Sequence, residues 1–391
     1  MDTSLALFYG FLIILIAFIL FYLKRRIHQF FKEHRYPKLL VWIFFALSVL
    51  MIGTLVTYRT SHIPVSQFYG SPLLWTSYIF MGFIGPFFLV LVAFDLMRLG
   101  TRPIKSKIKI NPDRREFLKK AAGIGIFAGP GILSASGPFG EELVPKVVEV
   151  VVQVKDLPQK LVGLTIAQVS DIHIGPLLRG DFLEKIVAEV NSLKADIITI
   201  TGDLVDGRVS QLESELSSLS ELKADLGVYF CSGNHELYWG YDSWLNFVEN
   251  KGITVFRNDH KVISKDGEKF MIAGVHDHSI KRMIRSMESS PKKAVEGAEH
   301  LPLKILLAHQ PKSCFEAQKA GFDLQLSGHT HAGQYFPWNL FIGLFQPYVK
   351  GLHQLQNLSI YVNSGTGYWG PPNRLGVPAE ITLLKLERTE G

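Results

Sequence analysis

The sequence is poor in cysteine. Its 391 residues hold two, Cys231 and Cys314. Two allow at most one intrachain bridge, which excludes a disulfide framework. Neither has the spacing of a zinc site, and both read as buried thiols. A basic excess is also missing from most of the chain. Residues 141–391 carry 25 Lys and Arg against 30 Asp and Glu, whereas residues 1–140 carry 16 against 5. The net charge of +6 therefore belongs to the N-terminal third. The remainder has no electrostatic case for binding nucleic acid. Internal repeats and low-complexity tracts are absent too, which leaves out the repeat architectures.

The apolar content, 47% of residues, is concentrated early. Residues 4–23, 39–58 and 73–94 form three apolar runs without a charge. At about 1.5 Å of rise per residue each reaches about 30 Å, the hydrocarbon thickness of a bilayer. A soluble helix would need a polar face, which these runs lack. Their interiors also lack the ionisable residues that mark a transport pathway, and Asp95 stands only at the end of the third. That favours an anchor. Lys and Arg set the orientation. The first loop carries Lys24, Arg25, Arg26, Lys32, Arg35 and Lys38, the second only Arg59. The segment after the third run carries nine, from Arg98 to Lys120. The first loop and that segment are expected in the cytoplasm, and the second loop and the N-terminus outside it.

Asp113-Arg114-Arg115-Glu116-Phe117-Leu118-Lys119-Lys120 precedes a mildly apolar, Gly-rich stretch over 121–140. It resembles a twin-arginine export signal, although it follows three spans and has Asp113 where Ser or Thr is usual. The alternative is a basic linker leading into a Gly-rich loop. If the stretch crosses, everything after it lies outside. The expected organisation is three transmembrane helices over 1–97, a linker with a twin-arginine-like signal or fourth span over 98–140, and a globular domain over 141–391.

From about Glu141 short β-branched runs alternate with amphipathic stretches. Strands are expected over 147–154, 164–169, 197–201, 228–231, 254–256, 270–275, 305–308, 324–326, 360–362 and 381–386. Helices are expected over 182–193 and 211–222. Residues 281–293, basic and Ser-rich, read as a solvated loop. Strand alternating with helix points to an α/β fold, and ten strands in about 250 residues to two sheets.

Five blocks place metal-binding side chains at the ends of expected strands. They are Asp171-Ile172-His173, Gly202-Asp203-Leu204-Val205-Asp206, Gly233-Asn234-His235-Glu236, Ala308-His309-Gln310 and Gly328-His329-Thr330-His331. Loops at strand carboxyl ends are where α/β sheets put ligands. In extended geometry, Asp171 and His173 would point the same way, as would His329 and His331. That spacing suits one or two adjacent metals.

Together and in this order, the blocks resemble the calcineurin-like metallophosphoesterase superfamily, with its D-x-H, G-D-x-x-D, G-N-H-E, H and G-H-x-H pattern. Every block is present over about residues 147–387. The resemblance implies a four-layer αββα sandwich, here preceded by transmembrane helices. It implies one metal held by Asp171, His173, Asp203 and His331, and a second held by Asp203, Asn234, His309 and His329. Asp203 would bridge two divalent ions about 3.5–4 Å apart. Asn234 would also contact the phosphate, and His235 would protonate the leaving oxygen or merely orient it. Mixed His, Asp and Asn donors favour Mn, Fe or Zn over Mg. Asp206 stands where purple acid phosphatases carry a ligating Tyr, and it is assigned no ligand role.

Three weaker signals remain. His276, Asp277 and His278 form a cluster that either rims the pocket or lies in a solvated loop. Arg374 follows Asn363-Ser364-Gly365-Thr366-Gly367 and Trp369, a stretch resembling the C-terminal signature of membrane-associated bacterial members. It is a candidate for binding substrate phosphate, or else for a structural salt bridge. Residues 335–348 are rich in aromatic and aliphatic side chains, Trp338 among them, and break at Pro337, Gly343 and Pro347. They pack as core, or they meet lipid.

The expected activity is hydrolysis of a phosphomonoester, phosphodiester or pyrophosphate bond by a multi-pass membrane enzyme with its catalytic domain on the outer face. The substrate is a phosphorylated small molecule or a lipid-linked phosphate, and nucleic acid is not a partner. Two rivals stand beside it: a UDP-2,3-diacylglucosamine-type pyrophosphate hydrolase of lipid A synthesis, which needs a cytoplasmic catalytic face, and a non-catalytic phosphate-sensing module.

Overall fold

The computed structural model describes residues 14, 17–19, 21–26, 28, 37–61, 63, 64, 67, 70–100, 111–140 and 143–389. The chain divides into two units, one of residues 1–60 and 70–137, the other of 61–69 and 138–391. Most of the expected span over 4–23 and the basic positions from Arg102 to Lys109 lie outside the described residues.

The first unit is helical, with α1 (Pro37–Thr60), α2 (Pro72–Gly100) and α3 (Pro112–Ser136). Among the described residues, two segments are long and apolar enough to cross a bilayer, Leu39–Thr60 and Pro72–Gly100. Only 17% and 28% of their most apolar stretches are buried within the chain. A core helix of a soluble protein would be mostly covered. Here Trp42, Phe45, Val49 and Leu73 face outwards, as lipid-facing side chains do. The small internal core is aromatic, with Phe44 packed on Phe80, Phe83 and Phe87. Asp95 is paired with Arg26 and accepts from the Tyr22 hydroxyl. The Gly-rich stretch is not a loop as far as Ser136. It continues α3 through Pro130, with Asn111 capping the helix at Asp113.

The second unit holds two six-stranded sheets. The first runs β1 (Lys146–Val154), β12 (Glu380–Arg388), β2 (Thr165–Val169), β3 (Ile197–Ile200), β4 (Val228–Cys231) and β5 (Thr254–Phe256). The second runs β10 (Gly351–Leu355), β11 (Leu358–Val362), β9 (Leu324–Ser327), β8 (Lys304–Leu307), β7 (Glu268–Gly274) and β6 (Asp259–Lys265). Each contains four adjacent parallel strands, β2 to β5 in one and β11, β9, β8 and β7 in the other. One apolar cluster joins the sheets face to face, with Ile166, Ile197 and Tyr229 from the first and Ile272, Ile305 and Leu326 from the second. The far side of the second sheet is covered by Ala294, Val295, Cys314, Ala317 and Phe322.

The sequence misses β6 and β10. Both are edge strands without a fully buried position, so neither carries the continuous apolar run of its buried neighbours. The expected helix over 182–193 is α4 (Gly180–Ser192). The one expected over 211–222 is instead a single α-turn, Val209–Leu212, followed by 3-10 turns over Glu213–Glu221 that kink at Leu216. Ser217, Ser218 and Ser220 favour such local departures from the α-helix. Residues 281–293 are not wholly loop, since short helical turns cover Ile280–Met283 and Pro291–Val295.

Candidate active site

The parallel runs bring the five blocks to one end of the sandwich. Asp171 and His173 follow β2, Asp203 follows β3, and Asn234 and His235 open α5 (Asn234–Trp239) directly after β4. His309 follows β8, and His329 and His331 follow β9. All are buried or nearly so.

The backbone that delivers them is not extended. Asp171, His173, Asp203, His329 and His331 all have positive φ, between 46° and 70°. The expectation of an extended Asp-x-His pair is therefore corrected. Each donor sits on a left-handed kink, an arrangement that costs about 1–3 kcal/mol per residue and persists only where the surroundings impose it. Two glycines make room. Gly202 has φ of 84°, and a Cβ there would lie 2.6 Å from the Gly233 nitrogen. A Cβ on Gly328 would overlap the Ser170 hydroxyl and the Asp171 carboxylate.

The donors form two clusters. In one, His331 Nε2 lies 3.0 Å from His173 Nε2 and 3.3 Å from Asp171 Oδ1. In the other, His309 Nε2 lies 3.1 Å from Asp203 Oδ2, 3.3 Å from Asn234 Oδ1 and 3.2 Å from His329 Nδ1. Asp203 stands between them, with Oδ2 also 3.9 Å from His173 Nε2 and from His235 Nε2. Asp171, His173 and His331 form a group whose ligand atoms lie within 4.8 Å of one another, and so do Asp203, His309 and His329.

The surroundings fit cations. His309 Nδ1 donates to the Thr201 carbonyl at 2.8 Å, which leaves its Nε2 lone pair pointing inwards, as metal-ligating histidines are oriented. Asp171 accepts from the His329 backbone at 2.9 Å and from the Ser170 hydroxyl at 2.6 Å. Arg374 Nη2 donates to His331 Nδ1 at 3.0 Å and holds that ring in place.

Charge settles accordingly. Burial alone would raise the Asp203 carboxyl, but His309 and His235 overcome it and hold the group well below the usual carboxylate range. Burial raises Asp171. Burial would likewise lower His235, but the carboxylates of Asp203 and Asp206 push it up to about 9. Burial and then Arg374 hold His331 well below its ordinary value.

Three residues matter more than the sequence indicated. Asp206 hydrogen-bonds His235 Nδ1 through one oxygen and lies 3.4 Å from His173 Nδ1 through the other. Glu236 accepts from the backbone nitrogens of Gly233, Asp203 and Leu204 at 2.7, 3.1 and 2.9 Å, tying two of the loops together. Asp277, from the loop after β7, accepts from Gln310 at 3.0 and 3.1 Å. Asp206 and Glu236 both stand within the blocks, so their positions were legible and their contacts were not.

Arg374 is 1% exposed and donates to the carbonyls of Ser364, Gly365 and Gly367 as well as to His331. It braces a loop against a site histidine. No carboxylate pairs with it directly among the described residues. Trp338 is 36% exposed and leans on Tyr335, donating to its hydroxyl at 3.2 Å. At the mouth of the site His235 meets the rings of Tyr238 and Trp369, both more than two-fifths exposed.

Known proteins are similar to this chain. The profile of calcineurin-like phosphoesterases matches residues 164–333. An uncharacterized metallophosphoesterase of Helicobacter pylori is 35% identical over 295 residues, covering 75% of this chain and 78% of that protein. The chain belongs to the calcineurin-like phosphoesterase family. Another relative in the family, the transmembrane protein with metallophosphoesterase domain of Danio rerio, is 36% identical over 272 residues. That match covers 67% of this chain and 61% of the Danio protein, so the chain spans less than two thirds of its length. Among solved structures, the NAD nucleotidase of Haemophilus influenzae aligns at 16% identity with a TM-score of 0.37, over 52% of this chain and 45% of that one. The family's domain thus occurs here on a chain that also has, among the described residues, two helices of membrane-spanning length.

Proposed function

We propose that the protein is a membrane-anchored phosphoesterase that uses two divalent cations to hydrolyse a phosphoester or pyrophosphate bond. The observation that supports this most is the place of Asp203, buried between two nitrogen-rich clusters with one oxygen near donors of both. Asp171, His173, Asp203 and His331 would hold one cation, and Asp203, Asn234, His309 and His329 the other. When bound, the pair supplies positive charge for the phosphoryl oxygens and lowers the pKa of a water. The donor set favours Mn, Fe or Zn over Mg.

The chain's own residues do the rest. Asp206 takes the Nδ1 hydrogen of His235, so Nε2 is the proton donor facing the site. Burial lowers the His235 pKa, but Asp203 and Asp206 raise it overall, which favours a ring able to protonate a leaving oxygen. A sensor would not need that acid, which argues against the phosphate-sensing alternative.

A lipid-linked phosphate is the substrate class we favour. The loop over 335–348 is not core, since Leu340, Leu344 and Phe345 are 68%, 79% and 67% exposed. An apolar surface beside the site, on a chain with membrane-spanning helices, suits a ligand held at the bilayer. With the 98–120 segment on the cytoplasmic side by its Lys and Arg, export of the stretch after it would put the catalytic domain on the outer face. A domain on the cytoplasmic side would favour the lipid A pyrophosphate hydrolase alternative.

The test is metal content together with hydrolysis. Purified wild-type protein supplied with Mn²⁺ should hydrolyse p-nitrophenyl phosphate. Asp203→Ala should lose that activity and both metals, whereas Asp206→Ala should keep its metals. Equal metal content in the two variants would overturn the bridging assignment.

A further inference from the structure

Beside the candidate active site lies a second, polar cavity of about 370 Å³ that neither the blocks nor the apolar loop explains. Its lining includes His276, Lys281, Arg285, Glu288 and Lys293. Three cations thus meet one carboxylate, and Glu288 is already paired with Lys293 at 3.0 Å. Neither Lys281 nor Arg285 makes a salt bridge among the described residues. The wall is fixed by Asn258, which donates to the Glu288 carbonyl at 2.8 Å and accepts from the Ser290 nitrogen at 2.9 Å. His276 Nδ1 is hydrogen-bonded to the Tyr241 hydroxyl, which leaves Nε2 as the ring nitrogen free to meet a ligand.

The cavity is set against the site by sheet register. Gly274 of β7 pairs with Leu307 of the parallel strand β8. Two residues past the ends of these neighbouring strands, His276 and His309 stand in adjacent loops. Asp277 and Gln310, the next residue in each loop, are hydrogen-bonded to each other.

We propose that this cavity binds a second phosphate on the same substrate molecule, so that the preferred substrate is a phosphoester bearing two phosphate groups. Arginine and lysine together around one open, solvent-facing depression are suited to phosphate oxygens, the arginine through paired hydrogen bonds. One phosphate occupies the site at His309 and its neighbours, and the other reaches across the β7–β8 spacing. The proposal rests on the phosphoesterase reading above and narrows its substrate.

The probes are the bisphosphates of the linear diols from propane-1,3-diol to hexane-1,6-diol, each beside its monophosphate. They are scored as competitors of p-nitrophenyl phosphate hydrolysis by the full chain in Mn²⁺. At one chain length or more, the bisphosphate should inhibit about tenfold more tightly than the monophosphate. The ratio should fall to near unity in Lys281→Ala with Arg285→Ala, and should largely survive in Lys281→Arg with Arg285→Lys. No bisphosphate advantage at any length, or one that persists in the alanine variant, overturns the proposal. Inorganic phosphate, too small to span both places, should inhibit wild type and alanine variant alike. If it inhibits the variant less, the cavity holds a free anion, and the tethered second phosphate is wrong. Absence of any p-nitrophenyl phosphate hydrolysis by the metal-supplied wild type would sink the parent reading, which hydrolysis without a bisphosphate advantage would not.

Discussion

Asp203 and Asp206 stand three positions apart in one loop and meet the same two histidines from opposite sides, Asp203 at Nε2 and Asp206 at Nδ1 of His173 and His235. Asp203 turns its carboxylate to the nitrogen clusters, while Asp206 holds His235 and approaches His173. The acid assigned to His235 has two consequences that an orienting role lacks. Loss of the proton donor should hurt a poor leaving group most, so His235→Ala should lower kcat on an alkyl phosphate by about 10²–10⁴ and on p-nitrophenyl phosphate much less. Equal losses on both substrates would point to orientation. The second consequence is a pH limb. His235 is active when protonated, so kcat on the alkyl ester should fall as pH rises through its pKa. That value is about 9 as the groups stand, and bound cations, which offset the pull of Asp203, move it lower. Asp206→Asn removes a raising charge and should shift the limb further down. A pH profile unchanged in that variant would contradict the pairing.

At the level of elements, the strands of the parallel runs were legible because burial on both faces gives short continuous apolar segments, such as Ile197–Ile200 and Lys304–Leu307. The edge strands β6 and β10 were not, since no position in either is fully buried and polar residues such as Lys261, Ser264 and Gln354 break the signal. The site was legible as residue types at strand ends. The left-handed backbone at five of its donors was not, because nothing in hydropathy or spacing marks a positive φ on Asp or His. The loop over 335–348 lay between two readings, and burial decides against core. That exposure also selects the residues for a test. Leu344 and Phe345 are mostly exposed, so replacing both by Ser should change stability by no more than about 0.5 kcal/mol each. The double variant should raise KM for a long-chain lipid phosphate presented in vesicles, with KM for p-nitrophenyl phosphate unchanged. Equal effects on the two substrates, at unchanged melting temperature, would mean that the loop does not touch lipid.

At the scale of the whole molecule, charge and hydropathy divide the chain at about the same place. The cationic excess lies within residues 1–140, beside the apolar helices, and the acidic balance lies in the globular unit. A bilayer retains Lys and Arg on its cytoplasmic side, so the 24–38 and 98–120 segments are expected there. The run after Arg114 and Arg115 then decides where the active site lies. It is helical to Ser136, and at 16 residues from Ala121 to Ser136 it reaches about 24 Å at 1.5 Å per residue. That falls short of a full hydrocarbon crossing but suffices for an export signal's apolar region. A reporter enzyme that matures only outside the cytoplasm, fused after Gly391, should therefore be active. Arg114→Lys with Arg115→Lys should abolish that activity while leaving the amount of fusion protein in the membrane unchanged, because the preceding helices still insert. A reporter active with or without the arginine pair would keep the outer location and remove the twin-arginine route. A fusion inactive outside, with a cytoplasm-maturing reporter active instead, would place the Asp/His clusters among cytoplasmic substrates. The pyrophosphate of a nucleotide-activated lipid precursor would then replace an exported lipid phosphate as the bond to test first.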